Sequence, residues 1–108
     1  LYAEMKKYDK ALVFLEKASL EKPVNPRVYY NYGLLLNQLG ETAIAENALL
    51  EAIALEPLNP RFIYALSTFY AQRGNSEKAL EYGRKLLELL PGDESVKSYV
   101  NSLESGNY

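Results

Sequence analysis
The sequence predicts an all-α fold, a solenoid of antiparallel helix pairs, through three features of spacing. Helix breakers recur every 34 residues: Pro23, Pro57 and Pro91 stand in register, as do Gly40 and Gly74. Helix-start residues recur at the same interval, with Asn25, Asn59 and Asp93 in line and Pro26 matched by Pro60. Small residues recur among large ones, at Ala11, Ala45 and Ala79 and at Gly33 and Ser67. A helical period alone is a weak sign. Breakers, caps and small residues that share one interval mark a repeat whose unit is a helix, a turn and a second helix.

Leu1 to about Lys6 reads as the stub of a helix. Asp9 to about Lys22 reads as its partner, with Ala11, Leu12, Leu15 and Ala18 on one face. Together they form a truncated first unit, 1–25. Lys6, Lys7, Lys10, Lys17 and Lys22 make this end basic. A solvated face is the plain reading and an acidic docking partner the sharper one.

The second unit, 26–59, is complete. Asn25 supplies an N-cap, and Pro26 a first helical residue whose missing N–H costs nothing and whose φ is preset. A helix is expected from about Arg27 to Leu39. Gly40 ends it by turning through positive φ. Thr42 helps start a second helix, about Ala43 to Glu56, which Pro57 stops. The third unit, 60–93, repeats the scheme, with helices from Arg61 to about Arg73 and from Glu77 to Leu90. Gly74 and Ser76 lie between them and Pro91 after them.

Asp93 can cap a closing helix from about Glu94 to Leu103. It would turn Val96, Val100 and Leu103 inward and Glu94, Lys97, Ser98 and Asn101 outward, the polar face a terminal repeat needs. Glu104 to Tyr108 is expected to fray. The units 1–25, 26–59 and 60–93 and the closing segment 94–108 make one domain by size. Tyr29, Tyr32, Leu36, Ile63, Leu66 and Tyr70 are the large residues expected around the small ones. The middle unit has a neighbour on each side and is expected to be the best buried.

Position by position, the pattern resembles the tetratricopeptide repeat. The middle unit reads Tyr29, Tyr32-Gly33, Leu36, Ala45, Leu49, Ala52, Pro57. The third reads Ile63, Leu66-Ser67, Tyr70, Ala79, Gly83, Leu86, Pro91. The first is truncated, but Tyr2, Ala11, Leu15, Ala18 and Pro23 fit. The third unit inverts the usual order of a large residue and then Ala, placing Gly83 before Leu86, which suggests adaptation to the closing helix. The resemblance implies about two and a half repeats plus a capping helix, wound as a right-handed alpha-alpha superhelix. It also implies that the first helix of each pair lines a concave face.

Composition narrows the chemistry. Histidine and cysteine are absent, and Asp stands only at Asp9 and Asp93. The usual general base, the commonest metal ligand and the thiolate nucleophile are all missing. No catalytic residue, metal site or cofactor is therefore expected. Glu46, Glu51, Glu56, Glu77, Glu81 and Glu88 lie mostly on second helices and read as solvent-facing charge. A net charge of −2 is too mild to imply a polyanion or a membrane surface. Ten tyrosines could stack nucleic-acid bases, but that also needs a basic groove, so no nucleic-acid partner is expected. No apolar run reaches the roughly 18–20 residues of a membrane span. No signal peptide is visible, and the start at Leu1 suggests a piece of a longer protein, with any targeting segment upstream. Cytoplasm and periplasm both stay open. The run from Arg61 to Asp93 is similar to repeat tails of bacterial proteins, some of them attached to exported multihaem cytochromes.

The function implied by the resemblance is a protein-interaction scaffold that binds a peptide or helix of a partner in the concave groove. The candidate residues are Arg27, Tyr30, Asn31, Leu34 and Gln38 in the middle unit and Arg61, Tyr64, Ala65, Thr68 and Gln72 in the third. Ser98 and Ser102 could be added from the closing helix. Arg offers a planar fork for carboxylates, and Tyr a rigid apolar body with a polar tip. The plainer reading has Arg27 and Arg61 bonded to acids of a neighbouring unit, and Tyr30 and Tyr64 packed into a seam. A subfamily's two-carboxylate clamp is incomplete here, since Asn31 and Arg61 fit it but Ala65 stands where its final Arg belongs. The competing reading is a structural repeat segment used for oligomerisation or spacing. With the first helix cut short, Tyr2, Met5, Leu12 and Leu15 would form an exposed apolar edge, which predicts a homodimer through that edge.

Overall fold
A computed structural model describes residues 9, 10, 13, 14, 17, 20 and 25–106. Among residues 25–106 the chain forms five helices and no strand: α1 Pro26–Gln38, α2 Thr42–Leu55, α3 Pro60–Gln72, α4 Ser76–Leu89 and α5 Glu94–Ser105. Two compact units divide the chain, Leu1–Glu56 and Pro57–Tyr108. Among the described residues no helix is long and apolar enough to cross a membrane.

The repeated caps act as the sequence suggests, with two corrections. Asn25 and Asn59 each accept the N–H of the arginine two residues on, at 3.0 Å, ahead of a proline in first helical position. Asp93 accepts the Val96 N–H at 3.1 Å. At α4 the cap is Asn75, which accepts from Lys78 N–H at 3.2 Å, while Ser76 is the first helical residue. At α2 the capping position is Glu41, whose side chain makes no capping bond, and Thr42 lies inside the helix. Pro26 and Pro60 take the first helical position as expected, while α2 and α4 start one residue earlier than expected because Thr42 and Ser76 are already helical.

Gly40 and Gly74 end α1 and α3 at φ 82° and 73°, where a Cβ would be strained. The turn lets Glu41 N–H reach back to the Leu36 carbonyl at 2.9 Å and Asn75 N–H to that of Tyr70 at 3.0 Å, satisfying carbonyls the helix leaves open. The closing helix is longer than expected. Glu104 and Ser105 are helical, and Gly106 closes the helix at φ 79°. Asn107 and Tyr108 lie outside the described residues.

In the first unit α1 packs on α2 and buries Tyr29 and Leu36 against Ala45, Ala48, Leu49 and Ala52. The Tyr32 ring is half-buried and stacks on Phe14 at 4.7 Å. Gly33 is the point of closest approach. A Cβ built there would lie 2.9 Å from Leu49 Cδ2, 3.0 Å from its Cγ and 3.4 Å from Ala48 Cβ. Two effects oppose each other in Gly33→Ala. Helix propensity gains about 1 kcal/mol, and overpacking costs about 1–3 kcal/mol. Leu49 is 1% exposed and has little room to retreat, so crowding wins. Gly33→Ala is expected to lower stability by about 1 kcal/mol. Gly83→Ala, where the nearest atom is the Leu103 Cδ1 tip at 3.1 Å, should be close to neutral. Urea midpoints for the two variants check this, and a Gly33→Ala variant as stable as the parent would show that Leu49 yields.

In the second unit α3 packs on α4, and α4 on α5. Ile63, Leu86, Val96 and Val100 form a buried cluster drawn from all three helices, with Leu80, Leu87 and Leu90 packed against it. Gly83 lies beneath Leu103 and Val100, so the inverted order of Gly83 and Leu86 does make room for the closing helix. The middle repeat is not the best buried. α1 buries Tyr29, Gly33 and Leu36, whereas α3 buries Phe62, Ile63, Ala65, Leu66, Ser67, Phe69 and Tyr70. Part of the reason lies in α5, which brings further side chains onto α3.

Candidate partner-binding surface
The helical period sorts α1 and α3 into a core stripe and an exposed stripe. On α1, Arg27, Asn31, Leu34 and Gln38 are exposed and Tyr30 is half-buried. On α3, Arg61, Tyr64 and Gln72 are exposed and Thr68 is half-buried. Ala65 departs from expectation: it is 7% exposed and belongs to the core. On α5, Ser98 is exposed and Ser102 half-buried. The residues of the predicted apolar edge, Tyr2, Met5, Leu12 and Leu15, lie outside the described residues, as do Lys6, Lys7 and Lys22. The described positions Val13, Phe14 and Leu20 are exposed, at 50%, 45% and 79%.

Among the described residues neither the Arg27 nor the Arg61 guanidinium has an ion pair or hydrogen bond. Three ion pairs of the second unit involve other residues: Glu104 with Arg84 at 3.3 Å, Glu81 with Lys85 at 3.7 Å and Glu94 with Lys97 at 3.4 Å. Tyr64 is 48% exposed and offers one side of its ring, the other meeting the Tyr99 ring edge-on at 5.2 Å. The Thr68 hydroxyl donates to the Ala65 carbonyl at 3.0 Å, so it can only accept from a partner.

Beneath this face lies a hydrogen-bond chain. Ser67 is fully buried, and its hydroxyl is 2.7 Å from both the Ala79 carbonyl and the Tyr99 hydroxyl. A carbonyl can only accept, so Ser67 gives its one proton to Ala79 and Tyr99 must donate to Ser67. Three helices are joined through one oxygen. Burial of the phenol raises the Tyr99 pKa above its ordinary value of 10.0. The hydrogen bond to Ser67 opposes that rise, and neighbouring Tyr64 adds to it. Ser67 could stabilise a phenolate only by turning its proton away from Ala79. In the sequence Ser67 stands where Gly33 stands one repeat earlier and reads only as a small residue; the hydroxyl in place of a hydrogen was the one signal available.

The sequence pattern of the tetratricopeptide repeat matches residues 38–94, more than half of the chain. The chain belongs to the tetratricopeptide repeat family. Repeats of this family mediate protein–protein interaction, and the family is one of non-catalytic scaffolds. This tetratricopeptide repeat chain is similar to a bacterial protein, the cytochrome c-type biogenesis protein CycH of Rhizobium meliloti (strain 1021). The two are 43% identical over 60 residues, a stretch covering 56% of this chain and 16% of that protein. The chain thus spans a small part of the relative's length.

Proposed function
We propose that this chain binds a peptide or helix of a protein partner against the exposed stripes of the first helices. The contributing residues are Arg27, Tyr30, Asn31 and Leu34 on α1 and Arg61, Tyr64, Thr68 and Gln72 on α3. The observation that carries the reading is the state of the arginines: both are exposed, and among the described residues neither is paired with an acid. Exposed tyrosine beside arginine is the composition that dominates binding energy in protein interfaces. No catalytic role is assigned to any residue. The likeness to CycH supports a partner from cytochrome c assembly.

Peptides selected from a random display library on the full chain test the surface. Tyr64→Ala is expected to weaken their binding about tenfold or more, the range of an interface anchor. Glu51→Ala and Glu81→Ala, on second helices, should leave it unchanged. If the glutamate variants lose binding and the tyrosine variant keeps it, the ligand sits on the second helices and the reading fails.

A further inference from the structure
Charge is divided between first and second helices. α1 and α3 hold no acidic residue, and Arg27 and Arg61 are their only charges. The second helices carry Glu46, Glu51, Glu77, Glu81 and Glu88. In the unit Pro57–Tyr108 this leaves an acid-free face. Arg61, Tyr64 and Thr68 come from α3, and Tyr99 from α5, its ring against Tyr64. Ser95 and Ser102 flank Tyr99 on α5 at helical neighbour spacing and offer neutral hydroxyls.

The acids of α5 point elsewhere. Glu94 is paired with Lys97, and Glu104 with Arg84. The cleft of about 520 Å³ between α4 and α5, lined by Arg84, Lys97 and Glu104 among others, carries both signs, and these three charges already have partners. Arg61 has none among the described residues.

Resting on the proposed function, we propose that this face takes an acidic peptide segment, with Asp or Glu side chains paired to Arg61 beside the Tyr64 ring. A planar guanidinium binds a carboxylate in a bidentate fork, and Arg61 is the one charge that α3 offers. The net charge of −2 does not prevent this. Packed helix axes lie about 8–10 Å apart, and the Debye length at physiological salt is about 8 Å. The glutamates on the far side of α4 are therefore largely screened from a ligand on α3. The arginine recurs one repeat earlier as Arg27.

The test uses fluorescein-labelled random-sequence peptides in three pools, rich in Asp and Glu, neutral, and rich in Lys, each made with free and with amidated C-termini. Fluorescence anisotropy is read on the full chain. The acidic pool should bind roughly tenfold tighter than the neutral pool, the scale of one charge-assisted pair. It should weaken with added salt and be indifferent to amidation. Arg61→Ala should erase the preference, and Arg61→Lys should restore part of it. Equal binding of the three pools, or an acidic preference that survives Arg61→Ala, overturns the inference. So does a preference that vanishes on amidation, which would assign the site to a chain end. Tyr64→Ala separates the two levels. If it weakens the pools but the parent binds all three alike, the surface stands and the acidic ligand falls. If it weakens none of them, the proposed function falls as well.

Discussion

Ile63→Ala is expected to destabilise the chain by about 2–5 kcal/mol, the cost of a large-to-small change in a core. Ile63 is 2% exposed and meets Leu86 of α4 and Val96 and Val100 of α5 in one buried cluster. The loss has two parts, the transfer free energy of the deleted groups and the cavity left among side chains that three helices hold in place. The smaller change Ile63→Val should cost about 0.5–1.5 kcal/mol. The order of the two urea midpoints is the check. Equal losses would mean that the cluster collapses around the missing atoms. A loss below about 0.5 kcal/mol for alanine would contradict the burial itself.

Ser67→Ala carries the second large effect, about 1–3 kcal/mol. The substitution preserves size, so little packing is lost. What it removes is the acceptor of the Tyr99 hydroxyl, on a residue that is half-buried, and a donor to the Ala79 carbonyl. Leaving a buried polar group unsatisfied costs more than the bond contributed. Tyr99→Phe removes the hydroxyl itself and leaves Ser67 bonded to Ala79, so about 0.5–1.5 kcal/mol is expected. The two losses should sum to more than the loss in the double variant, because both single changes break the same bond.

The same network sets a pH dependence. The folded pKa of Tyr99 is raised above the ordinary 10.0, so the fold favours the protonated phenol. Below that value folded and unfolded chains are both protonated and the contribution is whole. Above it the unfolded chain loses its proton first, and stability falls as pH climbs through the folded value. The other tyrosines titrate in the same range, so the measurement is the difference between the parent and Tyr99→Phe. That difference should shrink above pH 10.0. A gap that widens there would reverse the sign of the shift.

Much of the fold was legible because its signals are local. Asn25, Asn59 and Asp93 cap helices through bonds to N–H groups two or three residues away. Gly40 and Gly74 turn the chain within one peptide unit. The site was legible only as a stripe. Helical spacing set Arg61, Tyr64, Thr68 and Gln72 on one side, but placed Ala65 with them when its small side chain in fact faces the core. A wheel assigns direction to within about a third of a turn, and a residue at the stripe's edge is decided by what packs beside it.

The period, the proline-led helix starts, the all-α class and the family follow from the sequence alone, since these depend on backbone preferences within a few residues. Tertiary structure alone decided which partners the side chains take. Ser67 bonds residues 12 and 32 positions away, an arrangement that no local pattern encodes. The arginines at the helix starts could have paired with any of fourteen acids. Packing turns Glu81 and Glu94 toward lysines and Glu104 toward Arg84, and among the described residues it leaves the Arg27 and Arg61 side chains without an ion pair.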